Sequence, residues 1–359
     1  MSKRSKTEKI RAFILGIVRA HPHDIGAVAA TEFEISSRAV RYHLQSLVDD
    51  GLLETKGKTS AKTYSLAWLD DFHTDLLVNE FLEEHTVWTE YLQPRLSGVV
   101  PKNTYEIAEY AFGEMLNNAI DHSESSTATI RFVRTAATIS LVIEDSGVGI
   151  FKKVKEACGL PEEHDAIFEL SKGKFTTDPA RHSGEGIYFT SRMCDDFSIY
   201  SGRLAFTHIR KLGDSATAEF DDNQRGDWMF EDIGRNVDGT AVMMGISTTT
   251  ELKIAELYEE FASSESDNDH AFSKTHVPIK LAQYGDGSLV SRSQAKRILS
   301  RFDRFKTVVL DFTDVPFIGQ AFADQIFRVF QNEHPEIELI PANTSPLVEG
   351  VIRRVLSPE

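Results

Sequence analysis

Glu114, Asn118 and Asp121 stand at i, i+4 and i+7 of the run Glu114-Met115-Leu116-Asn117-Asn118-Ala119-Ile120-Asp121-His122. In a helix this spacing puts the three on one face, with Met115, Leu116, Ala119 and Ile120 on the inward side. A carboxamide oxygen ligates a hard divalent cation, and a carboxylate one turn away orients or deprotonates a water. The set therefore suits a metal–phosphate site. An amphipathic helix with an ordinary polar side has the same pattern, so the reading depends on what else the chain supplies.

Three glycine-bearing stretches follow. Residues 138–150 are a β-branched apolar run ending in Asp145-Ser146-Gly147-Val148-Gly149, which predicts a strand running into a tight turn. His182-Ser183-Gly184-Glu185-Gly186-Ile187-Tyr188 places a second glycine pair at the start of a predicted helix, where free N–H groups and the dipole favour an anion. Asp238-Gly239-Thr240-Ala241-Val242 heads another apolar strand. A single glycine pair is common in turns. The ordered set of four elements is far more specific.

That set resembles the ATP-binding domain shared by type II topoisomerases, the heat-shock chaperone, sensor histidine kinases and mismatch-repair ATPases, the GHKL or Bergerat-fold family. The resemblance covers roughly residues 75 to 250. It implies ATP and Mg²⁺ as cofactors, Glu114 as general base and Asn118 as metal ligand, with Asp121 a further polar contact. It implies Asp145 as the acid reading the adenine amino group, Gly147 and Gly149 giving close backbone approach, and Thr240 closing the adenine pocket. Gly184 and Gly186 match the phosphate loop. Residues 151–183 would be the ATP lid, with Lys174 and Thr176 resembling the cation and threonines of kinase-like members. One departure is Tyr188, where histidine kinases often carry a further glycine.

Length, composition and charge frame the rest of the chain. Its 359 residues allow two or three domains, and no apolar run is long enough to span a bilayer. The N-terminus has no apolar segment of the signal-peptide type, and Cys158 and Cys194 have neither metal-ligand nor disulfide-framework spacing, which predicts a cytoplasmic protein. The net charge of −16 is unevenly spread: residues 1–68 hold eleven Lys/Arg against seven Asp/Glu, the remainder 28 against 48. A basic module on an acidic body predicts a local polyanion contact.

Within that basic module, helices are predicted over about 5–20 and 25–33 and from Ser36 or Ser37 to Leu47. Gly51 then stops the third helix, and a hairpin with a basic tip follows. The order is similar to a winged helix-turn-helix of bacterial regulators. It implies duplex DNA as partner, with Ser36, Ser37, Arg38, Arg41, Tyr42 and Gln45 reaching base edges and phosphates, and Lys56, Lys58 and Lys62 tracking the backbone. A winged helix used only for protein contacts is the alternative.

Residues 69–100 are apolar-periodic and acidic and are expected to form a helical connector. His73 and His85 lack the context of a phospho-accepting histidine. The polar run 263–271 reads as a linker. Beyond it, strand and helix alternate, and Thr307-Val-Val-Leu-Asp311-Phe312-Thr313-Asp314 is similar to the STAS domain of anti-sigma-factor antagonists, with Gln320 and Ala321 where a regulatory serine is expected. The expected fold is thus an α/β multidomain chain: winged helix-turn-helix over 1–68, connector over 69–100, GHKL α/β sandwich over 101–262, linker over 263–271, STAS-like α/β domain over 272–359.

Three functions fit this order. One is an ATP-gated DNA-binding regulator that hydrolyses ATP slowly, pairs as a homodimer and meets a protein partner at its STAS-like domain. Another is an anti-sigma-type protein serine kinase acting on a separate partner. The third is a scaffold holding ATP as a structural ligand.

Overall fold

The computed structural model describes residues 3–58, 61–176, 184–210, 226–262, 272–283 and 289–357. Helices α1 (Lys3–Ile17), α2 (Ile25–Glu32) and α3 (Ser37–Asp49) come first, then strands β1 (Leu53–Lys56) and β2 (Thr63–Leu66), which pair antiparallel. Apolar residues at helical spacing give these elements their own core, built on Ile10, Ile14, Ile25, Val40, Leu44, Leu47 and Leu53. Ser36 caps α3, its hydroxyl accepting from the Ala39 amide at 3.2 Å.

The stretch expected to be a helical connector is not one. Asp70–Leu77 is strand β3, which pairs antiparallel with β4 (Thr127–Arg134) at the edge of a seven-stranded sheet. Phe72, Thr74 and Leu76 face inward while Asp71, His73, Asp75 and Leu77 are exposed, a period of two that the surrounding acidic residues disguise. Helical turns α4 (Glu84–Val87), the π-helical Trp88–Leu92 and α5 (Gln93–Leu96) then bury Val87, Trp88, Leu92 and Leu96 in the same core. The central domain therefore starts at Leu69, whose amide bonds the Arg134 carbonyl, rather than at residue 101.

Next come α6 (Lys102–His122), β4, β5 (Thr138–Asp145), α7 (Ile150–Cys158), α8 (Glu163–Ser171), α9 (Gly186–Met193), β6 (Asp196–Gly202), β7 (Leu204–Ile209), β8 (Gly226–Phe230), β9 (Val237–Ser247) and α10 (Ile254–Phe261). The antiparallel sheet has the order β3-β4-β5-β9-β6-β7-β8, with α6 and α9 packed together over its middle. The stretch expected as a lid, 151–183, is largely helical. Its first part is α7 and α8, whose Phe151, Val154, Ala166, Ile167 and Leu170 are buried at helical spacing. Residues 177–183, the end of that stretch, lie outside the described residues.

The expected linker also lies outside them, but its flanks are joined: Ala262 and Phe272 form an antiparallel bridge, and the Ser273 amide bonds the Phe261 carbonyl. The C-terminal domain has β10 (Lys274–Pro278), α11 (Arg292–Leu299), β11 (Thr307–Asp311), α12 (Gln320–Asp324) extended by π-helical Gln325–Phe330 and by α13 (Gln331–Glu333), β12 (Glu338–Ala342) and α14 (Pro346–Leu356). Its three strands are parallel in the order β10-β11-β12. β10 stops at Pro278, after which Ile279–Ala282 is a 3₁₀ turn. The apolar cores of the central and C-terminal domains are continuous, with Tyr188, Phe189, Phe261, Phe272 and Phe305 at the seam. Among the described residues no helix is long and apolar enough to cross a membrane.

Candidate functional site

A cavity of about 260 Å³ lies between α6, the ends of β5 and β9, α7 and the start of α9. Helix α6 turns Glu114, Asn118 and His122 into it, together with Met115 and Ala119. At about 100° per residue these five span about 140° of the helix surface, and Asp121 falls about 20° outside that arc. Asp121 is accordingly exposed and does not line the cavity, contrary to expectation, while His122 does.

Asp145, the last residue of β5, lines the cavity with Ile143, Ile199 and Val242 and is only 9% exposed; the turn that follows it packs on Ser123, at the C-terminal end of α6. Its Oδ1 accepts from the Gly147 amide at 2.9 Å. Burial raises its pKa, and bonds from the backbone at Gly147 and Thr240 partly offset that. β5 and β9 pair in register so that Asp145 faces Thr240, whose hydroxyl accepts from the Ile150 amide at 3.0 Å. One acceptor carboxyl in an apolar recess suits a ligand with a planar apolar body and a single N–H donor group.

The glycines are required by the protein's own packing. A Cβ on Gly147 would stand 1.9 Å from the Ser123 carbonyl oxygen, and Gly149 adopts a left-handed φ of 81° at the start of α7. Gly147 therefore lets the β5 turn pass close to the end of α6 and does not itself line the cavity, unlike Gly149, Gly184 and Gly186. A Cβ on Gly186 would meet Glu114 Oε2 at 2.0 Å, which shows how closely the α9 N-terminus and the Glu114 carboxylate face each other.

Phe175 and Thr176 complete the wall, and the Phe175 amide bonds the Gly184 carbonyl at 3.0 Å. Lys174 does not reach the cavity. Its Nζ donates to the Arg304 carbonyl at 3.0 Å and lies over the rings of Phe272 and Phe305. Burial lowers its pKa, Glu185 opposing and Arg304 adding. Among the described residues, Lys153 is the lysine in the cavity wall, held by the His122 carbonyl at 2.7 Å and Glu124 Oε1 at 3.0 Å. The signal for Lys153 is its place one turn after Gly149, on the helix face shared with Ile150 and Val154.

Residues 86–210 match the family model of the histidine kinase-like ATPase domain. Residues 294–349 match that of a STAS-like domain of unknown function (DUF4325). No curated protein and no solved structure matches the chain. The chain thus carries an ATPase-like domain, which contains the greater part of the cavity wall, and a C-terminal STAS-like domain.

At the N-terminal module, Ser37, Arg38, Arg41, Tyr42 and Gln45 are exposed along α3, with Tyr42 74% exposed. The Ser36 hydroxyl is engaged in the helix cap, so it acts on the fold first. Lys56 and Lys58 are exposed on the hairpin, whereas Lys62 is half-buried with its ammonium over the Tyr64 ring at 4.8 Å.

Proposed function

We propose that the protein is an ATP-dependent regulator whose ATPase-like domain controls an N-terminal winged-helix DNA-binding module and a C-terminal STAS-like interaction domain. The observation that carries this reading is a single cavity lined by Glu114 and Asn118 of α6, by Gly184 and Gly186 at the start of α9 and by Asp145. Gly186 stands against the Glu114 carboxylate, and the turn after Asp145 against the C-terminal end of α6. Asp145 accepts from the adenine amino group, and Thr240 holds the turn beside it. The backbone N–H groups of the first turn of α9 receive the phosphates.

The site also fits a divalent cation: the Asn118 amide oxygen and the Glu114 carboxylate are hard donors at the phosphate end. Mg²⁺ held there through Asn118 would neutralise charge on the phosphate oxygens. Glu114 takes a proton from the attacking water as its oxygen bonds to the terminal phosphorus and the bridging oxygen leaves with ADP. The exposed α3 face, with Arg38, Arg41, Tyr42 and Gln45, and the basic hairpin support duplex DNA as partner of the first domain. Pairing of two protomers is part of the same reading.

The test is hydrolysis of γ-labelled ATP by wild type and Glu114→Ala, with and without duplex DNA. Free phosphate from the wild type, reduced about 10²-fold or more in the variant and altered by DNA, is the expected result. Label recovered on an added protein would transfer Glu114 to a substrate hydroxyl and make the protein a kinase. Intact ATP binding with no turnover of either kind would overturn the enzymatic reading.

A further inference from the structure

The wall of the cavity formed by Phe175 and Thr176 is not held by the ATPase-like domain alone. Three consecutive carbonyls leading to it each accept a hydrogen bond from a side chain of the C-terminal domain. Thr275 Oγ1 donates to the Lys172 carbonyl at 2.7 Å, Arg301 Nη2 to the Gly173 carbonyl, and Arg304 Nη1 to the Lys174 carbonyl at 2.7 Å. The Arg301 guanidinium also lies 5.2 Å from the centre of the Phe175 ring.

Arg301 is fixed at its other end. Its Nη1 lies 3.1 Å from Glu169 Oε2, and the second oxygen of that buried carboxylate is 2.6 Å from the Nζ of buried Lys172. The Lys172 ammonium donates in turn to the Ser300 carbonyl at 3.1 Å. Arg301 itself has a left-handed φ of 65°, a backbone state that a non-glycine residue holds only where its surroundings impose it. The fork geometry of a guanidinium lets one side chain bridge the Glu169 carboxylate and the Gly173 carbonyl together, which a lysine amine cannot do from the same place.

We propose that Arg301 is a positioning residue for the nucleotide site, supplied by the STAS-like domain: by pinning the 172–174 backbone it sets the Phe175–Thr176 wall, and ligand contacts at that wall depend on how the C-terminal domain is docked. The proposal rests on the nucleotide reading of the cavity. Because the turn that follows Asp145 packs on Ser123, at the end of α6 away from Glu114, loss of the anchor weakens recognition of the terminal phosphate and leaves the adenosine end intact. Linkage makes the effect reciprocal, so a ligand reaching the wall stabilises the docked domain.

The experiment is calorimetric titration of the full chain with Mg-ADP and with a non-hydrolysable Mg-ATP analogue, using wild type, Arg301→Ala, Arg301→Lys and Arg304→Ala. In Arg301→Ala the analogue should bind about tenfold more weakly and ADP less than twofold. Arg301→Lys should retain a thermal midpoint nearer the wild type, because it keeps a charge beside Glu169, yet bind the analogue as weakly as the alanine variant. Arg304 is exposed, and its alanine variant tests the same wall if Arg301→Ala fails to fold, with a smaller loss confined to the analogue. Equal weakening of both ligands, or none, overturns the positioning role while the nucleotide site stands. A wild type that binds neither ligand overturns the nucleotide reading and this proposal with it.

Discussion

Gly186→Ala separates the chemistry assigned to Glu114 from the stability of the fold. The new Cβ would stand 2.0 Å from Glu114 Oε2, 3.0 Å from its Cδ and 3.5 Å from its Cβ, and ordinary contact begins near 3.4 Å. The carboxylate must therefore retreat by about 1.4 Å, the shortfall between these distances. Gly186 opens α9 and its backbone lies outside the left-handed region, so alanine fits the main chain. Alanine's helix preference contributes up to about 1 kcal/mol, while a displaced Glu114 rotamer costs about 0.5–1.5 kcal/mol. Net stability should therefore change by less than about 1 kcal/mol. Catalysis is far more sensitive, since a misplacement of about 1 Å can lower a rate on the order of 10²-fold. Urea denaturation and steady-state ATP hydrolysis read the two effects separately. In a Glu114→Ala background the glycine substitution should be silent, because it acts through that carboxylate. Wild-type turnover in the single variant, or an undiminished loss in the double variant, would refute the role given to Glu114.

Two further outcomes follow from the seam between the central and C-terminal domains. The His276 imidazole is pushed down to about 4, first by burial and then by Lys274 and Arg192, with Asp311 and Asp227 opposing. Its folded pKa lies below the unfolded value of about 6.5, so the unfolded chain binds the extra proton. Stability from this group is therefore full above about pH 6.5 and is lost as pH falls toward 4. After discounting for partial exposure the loss is roughly 1–2 kcal/mol. His276→Gln should remove that part of the acid slope, and parallel wild-type and variant denaturation curves from pH 7 to 4 would contradict it. Tyr188→Phe keeps the ring between Phe261 and Phe272 but removes the hydroxyl that accepts from the His276 amide at 3.1 Å. Leaving that part-buried N–H unpaired should cost about 1 kcal/mol in urea denaturation, and a change below about 0.3 kcal/mol would show that the hydroxyl carries no stability.

The same seam marks where sequence reasoning stopped. The halves of the cavity were legible because their signals are local: helical spacing placed Glu114 and Asn118 on one face of α6, and an apolar strand ending in Asp145-Ser146-Gly147 announced its own turn. Asp121 falls outside the cavity lining because periodicity gives a face, while the width of the cavity decides which edge of that face it meets. Strand β3 was misread because charged residues on its exposed side masked an alternation that pairing with β4 makes plain. Within the stretch expected as a lid, Phe151, Val154, Ile167 and Leu170 are buried at the helical spacing that forms α7 and α8.

By itself, then, the sequence determined the polar face of α6, the acid at the end of β5 and the glycine turns beside it, all products of backbone preference and periodicity over a few residues. Tertiary structure alone decided where the chain beyond a helix end points. Lys174 turns to the Arg304 carbonyl and not to the cavity, Lys153 takes the place in the wall, and Thr275, Arg301 and Arg304 hold the carbonyls of residues 172–174. Those partners are more than a hundred residues apart in the chain, and no local spacing encodes a contact that exists only once two domains share a core.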